Sequence, residues 1–182
     1  MRNIGGFDFV FFSDLEFFQR QSFYNKIYFS LYQLRDEYPY FDLWFYSLFE
    51  KEACLKKERE ILICLFGDDI VGIAILKRTW AEKKICTLRV NRRYQKMSIG
   101  KKLIELSLEW LNTEKPLITV HKSKQYEFDK LFKFYDFKLM DVKQGYYSLF
   151  NTELSYNGEL PVKAGFYNQL DVVSSGRIMR MV

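Results

Sequence analysis

The chain has 182 residues, with 28 Lys and Arg, 23 Asp and Glu and one histidine, for a formal net charge of +5. Hydrophobic residues make up 48% and charged residues 28%, which excludes an intrinsically disordered chain and allows one domain with a buried core. No apolar run approaches the ~20 residues of a membrane-spanning helix, and the first residues lack a signal-peptide pattern. We therefore expect a cytoplasmic protein.

Cysteine usage and aromatic content further limit the class of protein. The three cysteines, Cys54, Cys64 and Cys86, are odd in number and widely spaced, so neither a disulfide framework nor a zinc site is expected. Aromatic residues reach 19% of the chain. They fit an aromatic-rich core, and they also fit a surface that stacks on bases or on an aromatic substrate.

The first part of the chain is predicted to form one strand followed by two helices. An aromatic run at residues 7–12 is typical of a buried strand. Ser13, with Glu16 three residues later, matches a capping box at the start of a helix that continues to about residue 37. Pro39 interrupts this pattern, because proline disfavours a helical conformation at the residue before it. A second helix is predicted over residues 41–57.

The rest of the chain mixes strands and helices. Apolar runs at residues 60–66 and 70–77 flank a Gly-Asp-Asp turn and predict a hairpin, which a third strand at 84–90 extends. A polar loop at 91–98 leads into an amphipathic helix at 99–111. The remaining predicted elements are a strand at 116–121, a helix at 124–135 and two strands at 137–142 and 146–150. This order predicts a mixed α/β sheet with helices on its faces.

Positive charge is concentrated around the loop at 91–98. Ten basic residues and one acidic residue lie between Lys77 and Lys102, so this stretch carries +9 and the rest of the chain −4. Such a cluster fits a polyanionic ligand, such as phosphates or nucleic acid, and it also fits a solvated basic face. Its position before a helix favours anion binding, because the first N–H groups of a helix lack internal acceptors.

The same loop contains a short motif, Gln95-Lys96-Met97-Ser98-Ile99-Gly100. It resembles the acetyl-CoA signature of the GNAT N-acetyltransferase superfamily, Gln/Arg-x-x-Gly-x-Gly/Ala, which lies between that family's fourth strand and third helix. Gln95 and Gly100 match the first and last positions. Ser98 departs from the pattern at the first glycine, and serine replaces glycine well only where the backbone does not need a positive φ.

The resemblance covers residues 7–150 in element order. It implies the GNAT fold, in which the fourth and fifth strands splay apart, and acetyl-CoA as co-substrate. Gln125 stands where the family often has an asparagine that contacts the pantetheine arm, and Phe132 stands at the tyrosine of the family's Leu-Tyr-x-x-x-Gly-Phe segment. Arg92 and Arg93 could help to neutralise the CoA phosphates. The residues implied to bind the cofactor are Leu88, Arg89, Val90, Gln95, Lys96, Met97, Ser98, Ile99, Gly100, Lys101, Lys102, Gln125 and Phe132.

The resemblance does not transfer a complete set of catalytic groups. In many GNAT enzymes the tyrosine of the Leu-Tyr-x-x-x-Gly-Phe segment protonates the leaving thiolate. Phe132 cannot do so, although its ring is expected near the CoA sulfur. The fourth strand lacks the glutamate that many members use as a base. Tyr126 and His121 are left as catalytic candidates, and each also fits a structural position. Catalysis is therefore expected to rest mainly on positioning and desolvation.

These observations together predict a GNAT domain at residues 1–150 and a C-terminal extension at 151–182, packed on the core or on the partner in a homodimer. The predicted reaction moves an acetyl group from acetyl-CoA to a primary amine without a metal. The acceptor groove is expected between residues 38–40 and the final strands. Two alternatives stay open: a toxin-like enzyme that acetylates aminoacyl-tRNA, and a degenerate domain that binds CoA or a protein partner without turnover.

Overall fold

The computed structural model describes residues 2–49 and 58–161. Within these ranges none of the helices is both long and apolar enough to cross a membrane. The strands are β1 (Arg2–Ile4), β2 (Phe7–Phe11), β3 (Arg59–Phe66), β4 (Asp69–Arg78), β5 (Lys83–Val90), β6 (Leu117–His121), β7 (Leu139–Gln144) and β8 (Thr152–Tyr156). The α-helices are α1 (Phe17–Leu31), α2 (Phe41–Ser47), α3 (Ile99–Leu111) and α4 (Gln125–Phe134).

The strands form one mixed sheet in the order β1-β2-β3-β4-β5-β6-β8-β7. All neighbours are antiparallel except β5 and β6, which run parallel. β3 is buried along nearly its whole length, as a dense apolar run predicts for a strand covered on both faces. The mixed α/β sheet with helices on its faces is confirmed.

Two apolar cores lie on opposite faces of this sheet. Leu62 and Cys64 of β3 pack with the helices α3 and α4, whereas Ile61 and Ile63 pack with α1 and α2. Successive strand residues therefore serve alternate cores, as the two-residue period of a strand requires. The aromatic rings of α1 and α2 are packed against one another in the second core. Many of the aromatic residues are thus core residues.

The parallel strands β5 and β6 diverge soon after they meet. They pair only where Lys84 and Ile85 lie beside Leu117 and Ile118. Beyond that point β5 runs on to Val90 and β6 to His121, and β6 pairs on its other side with β8. We call the resulting gap the β5–β6 cleft. The splayed central sheet expected from the sequence is confirmed.

Gly72 on β4 determines how closely α3 approaches the sheet. A Cβ atom at Gly72 would lie 2.8 Å from Cγ2 of Ile99 and 3.1 Å from Cδ1 of Leu103. Because close-packed interiors leave no space for such an overlap, only glycine allows this contact. The first turn of α3 is therefore held directly against β4, beside the end of β5.

The start of the first helix differs from the prediction. Ser13 is not its cap: α1 begins at Phe17, with Glu16 as N-cap and Gln19 completing the capping box. The Ser13 hydroxyl instead donates to the buried Glu60 carboxylate at 2.6 Å, because a buried carboxylate needs hydrogen-bond donors. The second helix ends at Ser47, and residues 50–57 lie outside the described part of the chain.

The final strand also lies elsewhere than predicted. Residues 146–150 form turns and bends, and the strand is β8, which inserts between β6 and β7. Its polar residues Glu153 and Ser155 are buried, so the usual apolar pattern does not mark it. β8 falls within the range 151–182 that the sequence assigned to an extension. Residues 162–182 lie outside the described residues, and the packing of that segment stays a prediction.

Candidate active site

The basic loop between β5 and α3 folds into a compact turn. Asn91 caps its first part, because its side chain accepts a hydrogen bond from the Arg93 N–H at 3.1 Å. Lys96 and Ser98 both have positive φ angles, 65° and 63°. Left-handed residues next to right-handed ones turn successive N–H groups toward one side and form an anion-binding concavity. Serine thus occupies a position where the backbone does need a positive φ.

The first turn of α3 offers backbone donors without a capping side chain. Ser98 is the N-cap residue, but its side chain makes no capping hydrogen bond. The Lys102 N–H donates to the Ser98 carbonyl oxygen at 3.0 Å. The preceding N–H groups, those of Ile99, Gly100 and Lys101, therefore have no acceptor within the helix. Together with the helix dipole, they are suited to bind an anion.

Gly100 leaves space beside these donors. A Cβ atom there would lie 3.7 Å from Leu131 and 3.7 Å from Val90, an ordinary contact distance. The packing of the protein therefore does not require glycine, and glycine within a helix costs about 0.5–1 kcal/mol relative to alanine. A glycine at this position fits the close approach of a ligand to the helix backbone.

Uncompensated positive charge surrounds the same donors. Lys102 pairs with Glu105 at 3.0 Å, and Lys101 lies 4.2 Å from the centre of the Phe134 ring. Within the described part of the chain, no ion pair with an acidic side chain involves Arg92, Arg93, Lys96 or Lys101. Exposed cations near N–H donors that lack an acceptor within the helix favour a ligand that carries several phosphate charges.

The predicted edge for the pantetheine arm is available on β5. Leu88, Arg89 and Val90 pair with β4 on one side, and on the other side they border the β5–β6 cleft. An extended ligand can add to such an edge by main-chain hydrogen bonds. The side chains of Leu88 and Val90 pack against the α3/α4 core, whereas the Arg89 guanidinium donates to Gln33 on the opposite face.

Gln125 and Phe132 both act on Tyr156 of β8. Burial raises the pKa of the Tyr156 hydroxyl and the Gln125 side chain lowers it, and the rings of Phe132 and Tyr156 meet edge to face at 4.6 Å. Phe132 is 2% exposed, and Phe128 and Phe137 also contact its ring. The ring gives apolar packing and no proton. Its predicted position beside the CoA sulfur stays a prediction.

The two catalytic candidates from the sequence occupy different environments. His121 Nδ1 accepts a hydrogen bond from the Ser123 N–H at 3.2 Å and lies 2.6 Å from the Ser123 hydroxyl. It thereby caps the 3-10 turn Lys122–Lys124, a local structural role. Tyr126 is 75% exposed near the start of α4. Catalytic roles for His121 and Tyr126 stay predictions.

A second group of polar side chains lies on the α1/α2 face, and the sequence analysis missed part of it. Tyr38 donates a hydrogen bond to Glu153 Oε1 at 3.4 Å, and Lys84 donates to the Tyr147 hydroxyl at 3.3 Å. The rings of Tyr38 and Tyr147 are in edge contact at 5.3 Å. We call these four side chains the Tyr38–Glu153 cluster. Tyr38 had been expected at the wall of the acceptor groove, together with the segment 146–150 that contains Tyr147, whereas Lys84 and Glu153 had not been expected.

Burial perturbs the ionisation of this cluster. Loss of solvent raises the pKa of Glu153 to about 7, opposed by the Tyr38 hydrogen bond and the Lys84 charge and reinforced by Glu37. The pKa of Tyr38 is raised above its ordinary value, chiefly by burial and next by the Glu153 charge. A carboxyl group with a pKa near neutrality can take up and release protons at physiological pH.

Among the described residues, no group of three or more His, Cys, Asp and Glu side chains is arranged to hold a metal ion. The candidate site thus has two described parts, on opposite faces of the sheet near the β5–β6 cleft. One part is the loop and first turn of α3, and the other is the Tyr38–Glu153 cluster.

Comparison with known proteins relates this geometry to a family. The family model described as the acetyltransferase (GNAT) family matches residues 21–134. That span includes the basic loop, the whole of α3 and all of α4. No curated protein sequence matches the chain significantly.

Solved structures share parts of the fold at low identity. A GNAT-family protein from Desulfovibrio desulfuricans is 16% identical over 60% of this chain and 71% of its own, with a TM-score of 0.50. A predicted streptothricin acetyltransferase from Bacillus anthracis, in complex with acetyl coenzyme A, is 20% identical over 56% of this chain and 63% of its own, with a TM-score of 0.49. This chain thus spans less than two thirds of that protein.

A third structure is a GNAT family acetyltransferase from Elizabethkingia anophelis with acetyl-CoA bound. It is 17% identical over 59% of this chain and 81% of its own, with a TM-score of 0.45. The family model covers more than half of the chain, and the splayed mixed sheet is in agreement with it. The chain belongs to the GNAT acetyltransferase family.

Proposed function

We propose that this protein transfers the acetyl group of acetyl-CoA to a primary amine. Membership of the GNAT family supports an acyltransferase, and acetyl-CoA is the ligand named in the Bacillus anthracis and Elizabethkingia anophelis structures. The observation that carries the proposal is the uncapped first turn of α3. Its unpaired N–H groups, its glycine and its free cations lie beside the open edge of β5.

Different groups of the loop would bind different parts of the co-substrate. Acetyl-CoA supplies the acyl group as a reactive thioester. The N–H groups of Ile99, Gly100 and Lys101 would bind its pyrophosphate, with Arg92 and Lys96 near enough in the chain to balance the remaining charge. Ile99 contributes only its backbone, because its side chain is buried against Gly72.

The free edge of β5 would hold the extended pantetheine arm by main-chain hydrogen bonds. That arm would lead from the phosphate loop along Leu88–Val90, and the acyl group would then lie within the β5–β6 cleft. An amine held against it at about 3–3.5 Å would react mainly because of its position.

A domain that binds CoA without turnover is the second candidate. Phe132 favours it, because this side chain cannot protonate a leaving thiolate. Release of CoA with any amine separates the two candidates. An aminoacyl-tRNA acceptor, a homodimer and a cytoplasmic location stay predictions, and an RNA acceptor would show a salt-dependent affinity.

The test is ligand-induced stabilisation followed by an assay of transfer. We expect acetyl-CoA at about 100 times its Kd to raise the free energy of unfolding by about 2.7 kcal/mol. Gly100→Glu should abolish this stabilisation, because the new carboxylate occupies the ligand space and repels phosphate. Gly100→Ala should keep it, since the family signature accepts alanine there. Equal stabilisation of wild type and Gly100→Glu would refute the phosphate site.

Transfer itself is followed as release of free CoA thiol from acetyl-CoA in the presence of a panel of primary amines. The panel should include amino acids, polyamines, aminoglycosides and lysine peptides. Wild-type turnover of at least one amine supports the proposed function. Binding of acetyl-CoA with no transfer to any amine supports the non-catalytic candidate.

A further inference from the structure

Glu153 of the Tyr38–Glu153 cluster lies on β8, beside the end of β6, which borders the β5–β6 cleft on its other side. It pairs across strands with His121, the last residue of β6, and with Lys143 of β7. Its neighbour Leu154 packs in the α3/α4 core, so the Glu153 side chain projects to the α1/α2 face. The carboxylate is thus on the face of the sheet opposite to the phosphate loop, where the acceptor groove is expected.

The hydrogen bonding of this carboxylate is incomplete. Glu153 is 1% exposed, yet among the described residues Oε1 accepts a single hydrogen bond, the 3.4 Å bond from Tyr38. Oε2 is buried with no hydrogen-bond partner in the part of the chain that the structure describes. Leaving a buried carboxylate oxygen unpaired is costly. Such a group is therefore a candidate for function rather than for stability.

A second buried glutamate in the same sheet has the complete hydrogen bonding that is expected of a structural carboxylate. Glu60 on β3 is 2% exposed. It accepts hydrogen bonds from the Ser13 hydroxyl at 2.6 Å, the Ser13 N–H at 3.2 Å and the Ile61 N–H at 2.9 Å. These donors tie the start of the chain to the sheet. Glu153 has no comparable set among the described residues.

Tyr38 is the hydrogen-bond donor to Glu153 on the α1/α2 face. It lies in the segment between α1 and α2, is partly buried as a whole residue and donates its hydroxyl proton to Glu153. Its ring contacts Tyr147, whose hydroxyl receives the Lys84 hydrogen bond. A proton that reaches the Glu153 carboxylate along this hydrogen bond therefore passes through the Tyr38 hydroxyl.

We propose that Glu153 accepts the proton of the acceptor ammonium group, with the Tyr38 hydroxyl as relay. This inference rests on the proposed acetyl transfer and names its base. An amine reaches the enzyme protonated at neutral pH and has no free electron pair for attack. As the N–H bond breaks, its electron pair stays on nitrogen, and the proton passes to the Tyr38 oxygen. Tyr38 at the same time gives its own proton to Glu153 Oε1.

The proton balance then closes over the whole reaction. The ammonium nitrogen loses two protons when it becomes an amide nitrogen. Glu153 takes the first and returns it to solvent, and the second leaves with the sulfur as the free CoA thiol. Tyr38 is unchanged at the end, and no oxidant, reductant or metal is needed.

Several other charged groups face Glu153 and define the pH dependence. Lys84 of β5 lowers the proton affinity of the carboxylate and Glu37 raises it, while Glu37 itself pairs with Lys124 at 3.6 Å. Across the neighbouring strands lie His121 and Lys143, and Lys143 pairs with Asp141 at 3.2 Å. His121 lies directly across from Glu153 on β6, so a His121 variant is required as a control.

The test compares kcat and kcat/KM against pH for wild type, Glu153→Gln and Tyr38→Phe, with an amine found in the transfer assay. We expect wild-type kcat/KM to rise with pH to a plateau. Glu153→Gln should lower kcat by about 10²–10⁴-fold near neutral pH, and its rate should recover in alkaline solution, where the amine is already neutral. Tyr38→Phe should lower kcat similarly while the KM for acetyl-CoA stays unchanged.

Two controls and one binding measurement make the outcomes distinct. His121→Asn keeps an acceptor for the Ser123 N–H and tests whether His121, rather than Glu153, sets the pH profile. Glu109→Gln makes the same chemical change at a remote ion pair with Arg2 and should retain the wild-type rate. Acetyl-CoA should stabilise every variant as it does wild type, because the phosphate loop is untouched.

The role of Glu153 is overturned if Glu153→Gln keeps the wild-type kcat and pH profile while acetyl-CoA binding is intact, and the proposed acetyl transfer then still stands. It is also overturned if His121→Asn, rather than Glu153→Gln, removes the pH dependence. If wild type binds acetyl-CoA and acetylates no amine, the proposed function fails, and the proton-accepting role fails with it.

Discussion

The basic loop between β5 and α3 and the Tyr38–Glu153 cluster are built in opposite ways. The loop is one continuous stretch of chain from β5 into α3, and its donors are backbone N–H groups. The cluster takes its four side chains from four places: the segment between α1 and α2, strand β5, the connection after β7, and strand β8. The loop leaves cations in solvent, whereas the cluster buries a carboxylate.

This difference explains which substitutions each region tolerates. A site made of backbone donors survives the replacement of a glycine by Ser98, provided the chain still reaches the left-handed conformation. A site made of individual side chains does not tolerate replacement in this way, because each of its polar atoms belongs to one particular side chain. Changes in the loop should therefore tune cofactor affinity, and changes in the cluster should alter proton transfer and its pH dependence.

The largest effect on stability is expected on the cofactor side of the sheet, at Phe132. Phe132→Ala removes a fully buried ring with three aromatic neighbours and should lower the free energy of unfolding by about 3–5 kcal/mol. The control is Phe134→Ala on the same helix, where the ring is 63% exposed and the loss should stay within about 1 kcal/mol. Denaturant unfolding measures both.

Binding and pH measurements on Phe132 variants test whether the two faces of the sheet act separately. Phe132→Ala should weaken acetyl-CoA binding without moving the pH profile, because the Tyr38–Glu153 cluster lies on the other face. Phe132→Tyr should remain folded and could be tested for an increase in kcat from the restored donor. Unchanged kcat and acetyl-CoA affinity in Phe132→Ala would show that this helix does not contact the thioester.

A second effect, of about 3–4 kcal/mol, is expected from the ionisation of Glu153. The folded pKa is about 7 and the unfolded pKa about 4.3, so the folded state holds the proton more tightly. The stability that this proton provides is present below about pH 4.3 and is lost as pH rises through about 7. Glu153→Gln does not titrate there, so its stability relative to wild type should increase over this range.

Urea unfolding of wild type and Glu153→Gln at several pH values measures this difference. Glu60 also has a raised pKa, but it is present in both proteins and cancels in the comparison. A carboxyl group with a raised pKa changes charge between roughly pH 4 and pH 8. If the difference in the free energy of unfolding between the two proteins stays constant over this range, folding does not shift the pKa of Glu153.

The smallest effect is expected at the loop. Ser98 has a φ of 63°, and a left-handed conformation costs a residue with a side chain about 1–2 kcal/mol. Ser98→Gly should therefore stabilise the protein by about 1 kcal/mol and preserve acetyl-CoA binding. The same change at the exposed Ser22 in α1 should instead destabilise it by about 0.5–1 kcal/mol. If both variants lose stability, the loop is not strained at Ser98.

Sequence patterns located the basic loop and the helix that follows it well, because the information for both is local. The helix predicted at residues 99–111 coincides with α3, since its apolar period, its glycine and the polar loop before it are neighbours in the chain. The hairpin of β3 and β4 was equally clear, because two dense apolar runs flank a short turn. In contrast, Ser13 was assigned a cap that Glu16 makes, since both residues satisfy the same local rule.

What the sequence alone determined is the order of elements from β2 to β7, the family resemblance and the concentration of basic residues before α3. The Tyr38–Glu153 cluster exists only in the tertiary structure. Glu153 and Tyr38 are 115 residues apart in the chain, and the strand that carries Glu153 has polar residues at buried positions. The splay of β5 from β6 and the insertion of β8 bring these side chains together, and burial, which no local pattern encodes, shifts the pKa of the carboxyl group.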